Sequence, residues 1–290
     1  LLRGCLEGID PETCDRMFGF RDWLRPGVFT HVHLHARLQA RYAGQGHVPE
    51  DVLPAADYHK DSITANVNGL IRLMERLRWS PGSTVWTDYA AQNSYAPGDR
   101  EAKEAFVRDC VGSRRWRLAW DLGCNTGAFS RIAAESADAV VAMDADATVI
   151  EQFFNELHGE GNTRILPLVN NVADPSPGLG WRGRERRTLD DRGRPDLILC
   201  LALVHHLVMG ANIPLRELLE WLADFRAHLV IEFVAKSDPM VQRLLAGRPD
   251  IYFDYDLKQF EDGLNEHFFI ERQQVLQGNG RILYFARPRD

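Results

Sequence analysis

The residue types best suited to chemistry in this 290-residue chain stand at the ends of apolar runs. The first group is Asp121-Leu122-Gly123-Cys124-Asn125-Thr126-Gly127, a turn between a strand-like and a helix-like segment. Glycines there let a ligand approach the backbone, and the helix N-terminus that follows offers unpaired N–H donors. The acid before the first glycine narrows the ligand, because Asp121 repels a pyrophosphate and welcomes an ammonium group. Asn125 tolerates unusual backbone angles better than most residues. Asp144 ends Val140-Val141-Ala142-Met143-Asp144, one strand–helix–strand step later, where an acid can accept both hydroxyls of a ribose. Its plainer alternative is a solvated helix cap, with Asp146 beside it. His205 and His206 close the apolar run that starts at Asp196. An imidazole with a pKa of about 6.5 is matched to drawing a proton from a hydroxyl or an ammonium. Glu232, in Ile231-Glu232-Phe233-Val234, can orient a histidine or bind a substrate cation; a rim or cap residue is the ordinary alternative for it and for Asp238.

The elements that must position these residues alternate. Leu118–Asp121, Ala139–Asp144, Thr163–Val169, Asp196–Leu203 and His228–Val234 read as strands, separated by helices that run through Ile132, over Ala147–Leu157 and over Leu215–Phe225. Asp196–Leu203 is nearly all apolar, as a strand buried on both faces should be. Phe268–Val275 and Arg281–Ala286, either side of Gln277-Gly278-Asn279-Gly280, read as a closing antiparallel hairpin. The expected fold is α/β, a doubly wound, seven-stranded, mostly parallel sheet. Before it, residues 1–111 read as a helical N-terminal lid or substrate region, and 112–290 as the core. Helices are expected over Asp61–Leu77, with Ile63, Val67, Leu70, Ile71, Met74 and Leu77 at helical spacing, and from about Arg100 to Val111. Ser80-Pro81-Gly82 stops the first of them.

At the Asp121–Gly127 turn the chain resembles the class I S-adenosylmethionine-dependent methyltransferases, whose first motif is D/E-x-G-x-G-x-G. Asn125 stands where the middle glycine usually lies. The resemblance implies a Rossmann-like methyltransferase fold with S-adenosylmethionine as cofactor. Asp121, Gly123, Asn125 and Gly127 would hold the donor's amino-acid part, and Asp144 its ribose. By the same likeness Asn171, in Val169-Asn170-Asn171-Val172-Ala173-Asp174, takes the place of an acid that meets the adenine amino group; an asparagine in a turn is the alternative. The Leu201–Leu207 stretch is similar to ones in small-molecule methyltransferases whose first polar residue is the general base, which favours His205 over His206. The whole chain resembles a nodulation-protein-like bacterial methyltransferase family, in which DPSPGLGW, LALVHHL, EFV and DPM recur with an upstream Tyr/Lys segment. That likeness implies that Tyr95 and Lys103 cover the donor's methionine end, Lys103 pairing its carboxylate; surface residues on a helical lid are the alternative. The implied function is methyl transfer to an oxygen or nitrogen nucleophile of a small molecule, a natural product or a sugar, with His205 as base and Glu232 assisting. A non-catalytic partner on the same fold, a nicotinamide-dependent oxidoreductase and a protein or RNA methyltransferase remain as alternatives.

Composition excludes other classes. With 34 Lys+Arg against 41 Asp+Glu the net charge is −7, so no nucleic-acid partner is expected. Hydrophobic residues make up 45% and charged ones 26%, ordinary for a globular domain. No apolar run approaches the ~20 residues of a spanning helix, so no membrane is expected as a partner either. Five scattered cysteines without a CxxC pair suggest neither a disulfide framework nor zinc, and a cytoplasmic setting is the simpler reading. His31-Val32-His33-Leu34-His35 would share a face on a strand, but the following residues favour a helix that separates them, so no metal is expected. Asp174–Pro195 is far longer than a usual connection, and its arginines fit either anion recognition or a solvated charge run. The opening Leu1-Leu2-Arg3 lacks Met and any signal-like segment, and the chain is read as a fragment of a longer one. Oligomeric state is not legible.

Overall fold

A computed structural model describes residues 4, 6–42, 60–77, 79, 98–247, 249–278 and 280–289. Tyr95 and the stop at Ser80-Pro81-Gly82 lie outside the described residues. The chain divides into two compact units: Leu1–Pro81 with Gly178–Arg186, and Gly82–Pro177 with Arg187–Asp290.

The smaller unit is helical. α1 (Pro11–Met17) starts at Asp10, whose side chain accepts from the Thr13 N–H, with proline in the first turn. α2 (Phe20–Trp23), α3 (Pro26–Val28), a π-helical turn (Phe29–His33) and α4 (Leu34–Tyr42) follow, then α5 (Lys60–Arg76). The histidine triplet is helical, as expected. His33 is buried, 2.9 Å from Asp15 Oδ1 through Nδ1, with its ring 4.1 Å from that of Trp23. No cluster of metal-ligating side chains occurs among the described residues.

The larger unit holds α6 (Asp99–Val111), β1 (Trp116–Leu122), α7 (Ala128–Ser136), β2 (Ala137–Asp144), α8 (Ala147–Gly159), β3 (Ile165–Val169), β4 (Leu197–Cys200), α9 (Leu215–Asp224), β5 (His228–Val234), α10 (Pro239–Leu245), α11 (Leu257–His267), β6 (Phe268–Val275) and β7 (Arg281–Pro288). The sheet order is β3-β2-β1-β4-β5-β7-β6, with β7 antiparallel to both neighbours. The doubly wound, seven-stranded, mostly parallel sheet expected from the sequence is present. Alternation along β4 shows why the run is apolar throughout: Leu197 and Leu199 pack with α7 and α8, while Ile198 and Cys200 pack with α9 and α11. α6, assigned above to the N-terminal region, belongs to this unit. Its Asp99 carboxylate accepts from the Gln277 and Gly278 N–H groups at 2.8 and 3.0 Å, tying the helix to the closing hairpin. Among the described residues no helix is long and apolar enough to cross a membrane.

β4 ends three residues earlier than its apolar run suggests. Ala202 takes φ 52°, outside the strand region, and the chain turns into a π-helical turn, His206–Gly210. Leu201 and Leu203 stay apolar because they face a cavity instead of a neighbouring strand.

Candidate cofactor and active site

The glycine turn is held from beneath. The Gly123 and Cys124 N–H groups both donate to the Met143 carbonyl, at 2.8 and 2.9 Å, which docks the turn on the end of β2. Asn125 sits at φ 48°, the left-handed region its residue type tolerates, and its Oδ1 accepts from the Thr126 N–H at 2.7 Å. Gly127 opens α7 at φ 78°, and a Cβ there would lie 1.9 Å from Cζ of the buried Phe153 ring. Only glycine fits. Asp121 lies behind the turn, 2% exposed, accepting from Ser130 Oγ at 2.6 Å. Burial pushes its carboxyl up to about 6, against the Ser130 hydrogen bond and the Lys103 ammonium, which favour the charged form.

Asp144 couples the two turns. Its Oδ2 accepts from the Asn125 N–H and its Oδ1 from the Asp146 N–H, both at 2.9 Å. The cap of α8 is Asp146, which accepts from Thr148 at 2.8 Å, so the cap alternative belongs to the neighbour. Burial raises the Asp144 carboxyl, and the two backbone donors oppose that. Gly123, Asn125, Asp144, Asn171 and His206 line one cavity of about 740 Å³, together with Asn170, Val172, Ala173, Leu203, Leu207 and Leu244. The Asn171 side chain also makes the turn of the plainer reading, its Oδ1 accepting from the Ala173 N–H at 3.0 Å.

The two histidines separate. His206 is on the cavity wall; His205 is not, and it is fully buried behind it with its ring 4.2 Å from that of His206. Among the described residues neither His205 ring nitrogen has a hydrogen-bond partner. Burial, then the charges of His206, Arg281 and Lys103, hold the His205 pKa well below its ordinary value. Burial and Arg281 lower His206 to about 4. Both rings are therefore neutral at physiological pH. The placement differs from the expectation that favoured His205: the turn at Ala202 carries the second histidine, not the first, to the wall.

Glu232 meets cations of its own chain. Its Oε2 accepts from Lys103 Nζ at 2.6 Å and its Oε1 from the Arg281 guanidinium at 3.0 Å, while Arg281 Nε donates to Asp238 Oδ2 at 2.8 Å. All four side chains are buried. Burial alone would raise the Glu232 carboxyl, but Lys103 and Arg281 outweigh it and hold it below its usual range. This network replaces two expectations: Glu232 is occupied by ion pairs in which β7 and α6 take part, and the Lys103 ammonium is engaged with Glu232, with the Phe129 ring 4.7 Å away. Lys103, Asp121, Gly127, His205 and Glu232 thus stand behind the wall and shape it. Asn170, Leu203, Leu207 and Leu244 on the wall were not singled out from sequence; an apolar residue facing a cavity has the same signature as one facing the core.

The chain is 34% identical over 284 residues to the nodulation protein NoeA of Rhizobium meliloti (strain 1021), a match covering 97% of this chain and 60% of that one. No family model matches. Solved structures with a similar fold include the N-methyltransferase NodS from Bradyrhizobium japonicum WM9 in complex with S-adenosyl-L-homocysteine, at 14% identity, covering 68% of this chain and 90% of that one with a TM-score of 0.49. Another is the magnesium protoporphyrin IX methyltransferase from Synechocystis PCC 6803 with bound SAM, at 16% identity, 78% and 96% coverage and a TM-score of 0.45. The chain is thus similar to NoeA along nearly its whole length, and spans 60% of the length of that relative.

Proposed function

We propose that this chain is an S-adenosylmethionine-dependent methyltransferase acting on an oxygen or nitrogen nucleophile of a small molecule. The observation that carries the reading is the meeting of the glycine turn, Asp144 and His206 on one cavity. The donor, when bound, supplies an electrophilic methyl group on a sulfonium sulfur.

The residues present fit such a ligand. Asp144 is fixed by two backbone donors and keeps lone pairs for a ribose diol. Gly123 and Asn125 bring bare backbone to the ligand, and Asp121 behind them sets a negative potential that favours an ammonium group. Asn170 and Asn171 offer amide groups to the edge of a base, while Val172, Ala173, Leu203, Leu207 and Leu244 exclude water from its faces. His206 takes the proton of the acceptor; its lowered pKa keeps it uncharged and able to accept throughout the neutral range. The Lys103–Glu232–Arg281–Asp238 network holds the ends of β5 and β7 in place, a positioning role.

The test is methyl transfer from S-adenosylmethionine carrying a deuterated methyl, offered to a panel of amines, phenols and sugars and read by mass spectrometry. His206→Asn should slow labelled product by about 10²–10⁴-fold with donor affinity unchanged. Unchanged turnover in that variant would remove His206 from the reaction.

A further inference from the structure

The smaller unit leaves apolar side chains uncovered. Trp181, Phe20 and Leu24 are 78%, 73% and 71% exposed. Along α5, Ile63, Val67, Ile71 and Met74 fall at helical spacing and are all exposed, so the apolar stripe read from the sequence faces outward. Among the described residues, more of the exposed large apolar side chains lie in this unit than in the larger one. Exposed arginines alternate with them: Arg21 follows Phe20, Arg25 follows Leu24, Arg37 precedes Leu38, and Arg182 and Arg184 follow Trp181 on the Leu179–Arg186 hairpin. Among the described residues none of these five arginines has an ion-pair partner; Glu12 is engaged with Arg16, Asp15 with His33 and Asp22 with the Gly19 N–H, and Glu185 is the one acid on the Trp181–Arg186 stretch, beside three arginines. The unit carries a small excess of basic side chains, and the chain's whole acidic excess lies in the other.

We propose that this unit adsorbs to an anionic lipid surface. Protein interfaces gather their apolar residues at a centre and their charges at a rim. Here the two kinds interleave on three separate segments, Phe20–Arg25, Arg37–Leu38 and Trp181–Arg184. That is the pattern of a headgroup-level contact, where aromatic rings enter the interface and arginines pair with lipid phosphates and carboxylates. Spanning is not involved. Each basic residue near an anionic leaflet strengthens partitioning roughly five-fold, so several together with Trp181 suffice for reversible binding.

Flotation of the chain with vesicles of equal phosphatidylcholine and phosphatidylserine, against pure phosphatidylcholine, tests this in about 0.1 M salt. The chain should float with the anionic vesicles only and be released at about 0.5 M salt. Arg182→Gln with Arg184→Gln should weaken partitioning about 20-fold, and Trp181→Ala should weaken it without abolishing the salt dependence. Thermal melting of each variant checks that the chain is folded, and requires no enzymatic activity. A folded chain that ignores anionic vesicles, or binds both kinds equally, overturns the proposal. Concentration-dependent dimers without flotation would overturn it as well, and give the surface to a second copy.

Discussion

Gly127→Ala should destabilise the larger unit by an amount that can be divided in two. At φ 78° an L-residue costs about 1–2 kcal/mol more than glycine. The added Cβ would stand 1.9 Å from Cζ of Phe153, a ring with no exposed surface and so little freedom to swing aside. Overpacking of that kind costs about 1–3 kcal/mol, for a total of about 2–5 kcal/mol. Phe153→Leu shortens the ring that causes the clash and carries its own cost of about 1–3 kcal/mol. In the Phe153→Leu background, Gly127→Ala should cost only the backbone share, leaving a coupling of about 1–3 kcal/mol. Urea unfolding of the four proteins measures it. A Gly127→Ala penalty below about 0.5 kcal/mol, or one identical in both backgrounds, would refute the claim that Phe153 and the left-handed backbone dictate this glycine.

Other outcomes follow from the buried charges. Glu232→Ala leaves Lys103 and Arg281 uncompensated and should cost about 3–5 kcal/mol in the same urea assay; a loss below about 1 kcal/mol would mean that the network is solvated. The folded protein retains the Asp121 proton up to about pH 6, while the unfolded chain releases it near 3.8, so this group takes away stability as pH rises through that window. Asp121→Asn should therefore gain on the natural chain by about 2 kcal/mol between pH 4 and 7, read as a difference of unfolding curves; a difference that does not change with pH contradicts it. His206 acts in the opposite direction: its folded pKa of about 4 lies below the unfolded 6.5, so its contribution is lost as pH falls below 6.5. His206→Asn should flatten that acid loss.

Much of this was legible because local chemistry dictated it. The Asp121–Gly127 turn and Asp144 sit where a strand meets a helix, and strand boundaries such as His228–Val234 followed from apolar runs between breakers. Asn125 adopts the left-handed backbone its residue type suggested. What failed depended on partners distant in sequence. Glu232 read as an open rim acid because Lys103 and Arg281, its ion-pair partners, come from α6 and β7. His205 and His206 are adjacent, and only the turn after Cys200, with Ala202 at positive φ, decides which reaches the cavity. The α5 stripe showed the period of a buried face but not whether anything covers it.

The most direct test of the central claim is calorimetric titration of the chain with S-adenosylmethionine and S-adenosylhomocysteine, beside Asp144→Ala and an NAD control. The cavity geometry predicts micromolar binding of both sulfur nucleosides, a loss of about 1.5–3 kcal/mol in affinity on Asp144→Ala, and no heat with NAD. Binding of NAD, or sulfur-nucleoside affinity unchanged by Asp144→Ala, would contradict it.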